Sequence, residues 1–122
     1  MTDEEITEGN KLIAGFMKME LEVADYGGFL FYKWKNADHK FIWHSKHPPP
    51  YHRSWCWLMP VLSKIEQHGC IVEIWLSNAT GCRIVRVASP VLEFVREANK
   101  RIEAPYIAAI EFIKWYNENL KK

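Results

Sequence analysis

Cys70-Ile-Val-Glu-Ile-Trp-Leu76 and Cys82-Arg-Ile-Val-Arg-Val87, separated by Ser77-Asn-Ala-Thr-Gly81, set the fold class of this chain. Both runs are rich in β-branched and aromatic residues, and the segment between them has turn composition, so they read as an antiparallel hairpin. A second hairpin is expected upstream. Phe29-Leu-Phe-Tyr-Lys-Trp-Lys35 alternates in strand fashion, Asn36-Ala-Asp38 turns, and Lys40-Phe-Ile-Trp-His44 returns. Gly27-Gly28 interrupts the segment before it.

Helical signals surround the hairpins. Thr2-Asp-Glu-Glu5 has the form of a capping box, with acids where the helix dipole favours them. Ile6, Leu12, Ile13, Phe16 and Met17 follow at helical spacing, predicting a helix from about Asp3 to Met17. Ser54 is placed to cap a helix over Trp55 to Gln67, with Gly69 just beyond its end and Pro60 expected to bend it or loosen its first turns. Ser89-Pro90 reads as another helix opening. The pattern then runs to Leu120, interrupted at Pro105, as a single kinked helix or as two helices meeting near Glu103-Ala104; a break or sharp bend is favoured, because proline inside a helix costs about 3 kcal/mol. Tyr106, Ala109, Ile110, Ile113, Tyr116 and Leu120 form the expected buried stripe, widened by Phe112 and Trp115. The order helix–hairpin–helix–hairpin–helix(–helix) predicts a single α+β domain. Its simplest form is an antiparallel sheet of about four strands with helices on one face.

A chain of 122 residues suits one domain, and its 48% hydrophobic content with six Trp, five Tyr and six Phe can fill a core without metal or disulfide. Six tryptophans are more than such a core hides easily, so one or two are expected at an interface. The three cysteines are an odd number, there is no basic leader, and no apolar run approaches the roughly 18 residues of a membrane span. The expectation is a cytoplasmic protein with free thiols and no membrane association.

Net charge is +1, but unevenly spread. Asp3, Glu4, Glu5, Glu8, Glu20 and Glu22 dominate the first 22 residues. Lys33, Lys35, Lys40, Lys46 and Arg53, with His39, His44, His47 and His52, dominate residues 33–55. Such asymmetry points to a directed surface. In the basic stretch cations alternate with rings, the combination that holds single-stranded nucleic acid by stacking and phosphate neutralisation. Lys33 and Lys35 share one strand face and Tyr32 and Trp34 the other, so that strand cannot offer all of them to one ligand. Lys40, Lys46, His47, Tyr51, His52 and Arg53 escape this objection. They are the candidate partner- or RNA-binding residues, several of them on a loop stiffened by Pro48-Pro-Pro50.

Catalytic and metal chemistry find less support. His44-x2-His47-x4-His52-x3-Cys56 has the residue types of a zinc site but no familiar ligand spacing, and three prolines interrupt it, so no metal or other cofactor is expected. Cys56 at a helix start could be an activated thiol, with His44, His47 or His52 as base and Asp25 or Asp38 to orient it. Its plainer reading is a small buried side chain between Trp55 and Trp57. Cys70 and Cys82 are expected in the core or at a sheet edge. No phosphate loop, paired-carboxylate cleft or Ser-His-Asp order can be singled out, so the chain reads as a non-enzyme.

Three stretches carry a resemblance. Ile6-Thr-Glu-Gly-Asn-Lys-Leu-Ile-Ala14, Trp55-Cys-Trp-Leu-Met-Pro-Val-Leu-Ser-Lys-Ile-Glu66, and Ile102 to Asn117 with its Glu111-Phe-Ile-Lys-Trp-Tyr-Asn117 ending resemble a group of small proteins encoded by tailed phages and prophages. That group has a W-x-W-L-M-P-V-x-x-K-I-E helix, usually with Asp where this chain has Cys56, which argues against a thiol mechanism. The resemblance implies an accessory protein that acts by binding in the host cytoplasm. The leading expectation is an anti-CRISPR-type inhibitor that engages a host RNA-guided nuclease effector, its guide RNA, or both. RNA-targeting type VI systems are the class that the basic-aromatic stretch suits. Two alternatives stay open: a phage adaptor binding another phage protein through the Trp-rich helix, and a cysteine-dependent enzyme built on Cys56.

Overall fold

The computed structural model describes residues 1–37, 39–76, 80–86, 92–98 and 102–120. The fold class is α+β. Among the described residues there are three helices and six strands: α1 (Asp3–Phe16), β1 (Glu20–Tyr26), β2 (Phe29–Lys35), β3 (Ile42–Trp43), α2 (Trp55–Gln67), β4 (Cys70–Leu76), β5 (Thr80–Arg86), β6 (Leu92–Ala98) and α3 (Glu103–Asn119). They fall into two compact units, Met1–Pro50 and Tyr51–Lys122. The expected four-stranded sheet is replaced by two antiparallel sheets of three strands, ordered β1-β2-β3 and β4-β5-β6.

In the first unit, α1 opens on the predicted capping box. The Glu5 amide donates to Thr2 Oγ1 at 3.1 Å while the Glu5 carboxylate accepts from the Thr2 amide. The helix ends where Lys18 takes a left-handed conformation, φ 56°. There the Lys18 amide donates to the Gly15 carbonyl and the Met19 amide to the Ala14 carbonyl, at 3.1 and 2.8 Å. This is the Schellman arrangement with lysine in the place glycine usually holds. Ile13, Ala14, Phe16 and Met19 are buried. β1 was not anticipated from the sequence. Glu20-Leu-Glu-Val-Ala-Asp-Tyr26 mixes acids with only modest β-formers, and it forms a strand because β2 pairs with it along its whole length. The anticipated return strand shrinks to Ile42–Trp43, which pairs only with Lys35 and Trp34. Of the expected turn before it, Asn36 accepts the Phe41 amide on its side-chain oxygen at 3.0 Å, and Asp38 lies outside the described residues.

The second unit is a helix pair on a sheet. α3 lies along β5 and β6, and α2 packs on β4 and α3. Leu58, Val61, Leu62 and Ile65 of α2 are buried at helical spacing, as are Ala104, Tyr106, Ala108, Ala109, Phe112 and Ile113 of α3. Cys82 and Ile84 of β5 are fully buried, and Phe94 of β6 meets Phe112 edge-to-face at 6.0 Å. At the sheet's end the Arg86 guanidinium lies 4.9 Å from the Trp115 ring centroid, and Arg96 binds the Glu111 carboxylate. Leu120, expected in the stripe, is exposed.

Two helix predictions are corrected here. The chain after Pro90 does not continue as helix, because Leu92–Ala98 is a strand paired with β5 from Arg86↔Leu92 to Thr80↔Ala98. Leu92, Phe94 and Ala98 are half-buried while Glu93, Val95 and Glu97 are exposed, an alternation interrupted only by the exposed Arg96 and one that a helical reading overlooks. The proposed opening at Ser89-Pro90 lies outside the described residues. Pro105 accordingly causes no kink. It sits in the first turn of α3, where its missing amide has no intrahelical acceptor to lose. Pro60, by contrast, is inside α2, and the helix continues through it to Gln67. Ser54 takes the extended N-cap conformation, but its side chain makes no capping hydrogen bond.

One close approach fixes the β4–β5 register. Trp75 pairs with Gly81, and a Cβ at residue 81 would stand 1.8 Å from Trp75 Cε2. The indole thus lies on the glycine backbone, a contact only glycine permits.

Candidate functional site

Gly27 and Gly28 have φ of 62° and 93°, the pair of positive values that a two-residue type I′ hairpin turn requires. The Asp25 side-chain oxygen accepts the Gly28 amide at 2.9 Å, so the only charged side chain of the tip is committed to the turn. From there the register runs without a bulge from Tyr26↔Phe29 to Glu20↔Lys35. Directly paired residues share a face. One face therefore carries Tyr26, Phe29, Phe31 and Ala24 near the turn, then Glu22, Lys33, Glu20 and Lys35. The other carries Asp25, Leu30, Val23, Tyr32, Leu21 and Trp34.

The tip is apolar and open to solvent on both faces. Phe29 is 73% exposed, Tyr26 68%, Phe31 58%, Val23 54% and Leu30 53%. Tyr26 and Phe31 meet edge-to-face at 5.4 Å, which holds the aromatic group as one surface. Scattered apolar residues on a surface need no explanation, but five on one nine-residue turn form a patch. The strand lysines, by contrast, stand opposite acids across the ladder, Lys33 in register with Glu22 and Lys35 with Glu20. Lys35 forms an ion pair with Glu22, whose carboxyl it holds below the usual range, with Lys33 and His39 adding to the effect.

The six residues expected to bind a partner are divided between the two units. Lys40, Lys46 and His47 belong to the first unit and are exposed; the Lys40 ammonium lies 5.8 Å from the Phe41 ring centroid. Tyr51, His52 and Arg53 belong to the second unit. Tyr51 overturns the expectation, since it is fully buried, edge-to-face with Trp57 at 6.1 Å, and burial drives its hydroxyl pKa well up. A ring in that position cannot stack on a base. The loop prolines Pro48, Pro49 and Pro50 are buried as well. His52 is half-buried, edge-to-face with Tyr106 at 6.0 Å, and desolvation followed by the nearby Arg53 charge lowers its pKa, which disfavours the cation. Arg53 is exposed.

Cys56 is also corrected. It is exposed on the first turn of α2, not buried between Trp55 and Trp57, which are both half-buried. Cys70 and Cys82 are buried as expected, and burial pushes the Cys82 thiol up to about 12. Among the described residues no group of three or more His, Cys, Asp and Glu side chains is placed to hold a metal ion. No described helix is long and apolar enough to cross a membrane.

The sequence reading gives no surface role to Val23, Tyr26, Phe29 and Leu30, and it places Phe31 only within the basic-aromatic stretch. A Gly-Gly pair before the apolar run Phe29–Lys35 is a short-range hairpin signal in the sequence, but the acids of Glu20–Tyr26 mask the strand on its other side. Comparisons of the chain with protein-family models, curated proteins and solved structures find no match.

Proposed function

We propose that this protein acts by stoichiometric binding, with the β1–β2 hairpin tip as the docking element, and that its target is the protein effector of a host RNA-guided nuclease rather than the guide RNA. The observation that carries the reading is the tip itself: three aromatic and two aliphatic side chains, each more than half exposed, with no cation among them. Apolar anchors of this kind suit a protein groove, where a few aromatic side chains supply most of the binding energy. Phosphate recognition would instead need unopposed Lys and Arg, and the hairpin's lysines face Glu20 and Glu22. The resemblance of the Trp55–Glu66 and Ile102–Asn117 stretches to phage accessory proteins supports the anti-defence, anti-CRISPR-type role, with type VI effectors as the first class to try.

The test is capture of a defined effector from cells expressing it with its guide, with and without RNase, using the intact chain and a Tyr26→Ser/Phe29→Ser/Phe31→Ser variant. Retention that survives RNase and is lost in the variant supports the reading. Retention abolished by RNase and indifferent to the variant would assign the interaction to RNA. Recovery of phage-encoded proteins alone would leave the adaptor role.

A further inference from the structure

β1 is the outer strand of the first sheet, and among the described residues nothing pairs with its free edge. An open edge of seven residues is a template for another strand, and proteins usually blunt such edges with lysine, proline or a bulge. β1 has no lysine, proline or bulge, though it carries three acids. Two of these have partners inside the hairpin, Glu22 with Lys35 on β2 and Asp25 with the Gly28 amide, and Glu20 stands at the start of the strand.

The hairpin geometry states which groups the edge offers. Tyr26 and Phe29 close a two-residue turn, so they exchange both their backbone hydrogen bonds, and every second pair along the ladder does the same. Leu21, Val23 and Asp25 fall in the alternate pairs and direct N–H and C=O away from β2. Leu21 and Val23 are also exposed apolar side chains on one face of the strand, at 41% and 54%.

We infer that a second copy of this chain pairs with this edge, β1 against β1 in antiparallel fashion across a two-fold axis at Val23. In that register Val23 faces Val23, Leu21 faces Asp25, Glu22 faces Ala24 and Glu20 faces Tyr26 of the other copy. No acid lies directly opposite an acid, all seven residues pair, and about six backbone hydrogen bonds form. Leu21 and Val23 of both copies become neighbours in one aliphatic cluster on one face. Centring on Glu22 would set two like charges face to face, and centring on Ala24 would shorten the ladder. The Val23 register is the one that charge and length both favour. It joins two sheets into one of six strands, the isologous contact of a two-fold dimer. Phe29, Leu30 and Phe31 stay clear of this edge, whereas Val23 and Tyr26 belong to both the edge and the tip, so Phe31 is the tip residue that tests pairing apart from docking.

The test is sedimentation equilibrium of the intact chain up to on the order of 100 µM, with hydrogen exchange at the low and high ends of the range. The expected result is a doubled mass, with slowed exchange at Leu21, Val23 and Asp25 at high concentration only. Val23→Pro removes an amide that β2 does not use and should return the protein to a monomer with an unchanged circular dichroism spectrum. Val23→Lys should do the same by placing two cations at the axis. Phe31→Ser should leave the mass doubled. A monomeric intact chain would overturn the inference, as would a dimer that survives both Val23 variants or one that Phe31→Ser dissolves.

Discussion

Phe29→Ala separates a binding role for the hairpin tip from a structural one. A phenylalanine side chain offers about 200 Å² of surface, and Phe29 is 73% exposed, which leaves about 150 Å² for a partner to cover. At about 25 cal/mol per Å² full coverage is worth about 3.5 kcal/mol. Coverage in real interfaces is partial, so a loss of about 2–3 kcal/mol, or about 30- to 150-fold in Kd, is the expected effect. Folding stability should change far less. The ring contributes little burial, and the remaining effect is the alanine's lower strand preference, within about 1 kcal/mol. The assay is paired: denaturant unfolding of the free protein, and calorimetric titration into the purified effector. A variant that binds as tightly as the original would refute the assignment of the tip as the docking element. So would a loss of more than about 2 kcal/mol of stability, because an exposed side chain outside the core does not carry that much.

Lys18→Gly relieves a left-handed backbone at the end of α1 and should stabilise the fold by up to about 1 kcal/mol, read as a higher denaturation midpoint. Gly81→Val drives a side chain into the Trp75 indole and should cost about 1–3 kcal/mol by the same measurement. The Trp34 indole N–H is buried and, among the described residues, has no acceptor; Trp34→Phe should therefore fall within about 1 kcal/mol of neutral, as loss of ring area offsets relief of the orphan donor. His52 and His68 both have pKa values lowered by desolvation, then by Arg53 and Lys64 respectively. Below the unfolded-state value the unfolded chain binds more protons, so stability is full above about pH 6.5 and falls as the solution is acidified through it. A His52→Gln/His68→Gln variant should flatten that slope, and an unchanged slope would place the dependence elsewhere.

Local chemistry made the helices and the second hairpin readable. The Thr2–Glu5 capping box, the apolar spacing of Trp55–Gln67, and the β-branched runs at Cys70–Leu76 and residues 82–86 each state their structure within a few neighbours. What the sequence concealed depends on the neighbouring strand rather than on the segment's own composition. Leu92–Ala98 carries two glutamates and an arginine and suits a helix in isolation; β5 supplies the partner that makes it a strand. Once β6 occupies those residues, Pro105 becomes a first-turn proline: the expected break falls where α3 starts at Glu103, and a bend at Pro105 has no helix to act on. Glu20–Tyr26 is a strand for the same reason, and recognising it would have turned Gly27-Gly28 from a break into a tip. Tyr51 reads as a loop ring beside three prolines, but its large apolar ring is buried against Trp57, where no periodic pattern announces it. Lys40, Lys46, His47 and Arg53 are exposed as polar and charged side chains ordinarily are, and exposure by itself assigns them no ligand.

The most direct test of docking through an apolar tip is the affinity of the intact chain for its purified effector, guide-loaded and guide-free, between about 50 and 200 mM salt. Docking on the protein predicts nearly equal affinity with and without guide and little change with salt. A fall of about 10³-fold or more over that range, or binding that requires the guide, would contradict it and assign recognition to RNA phosphates.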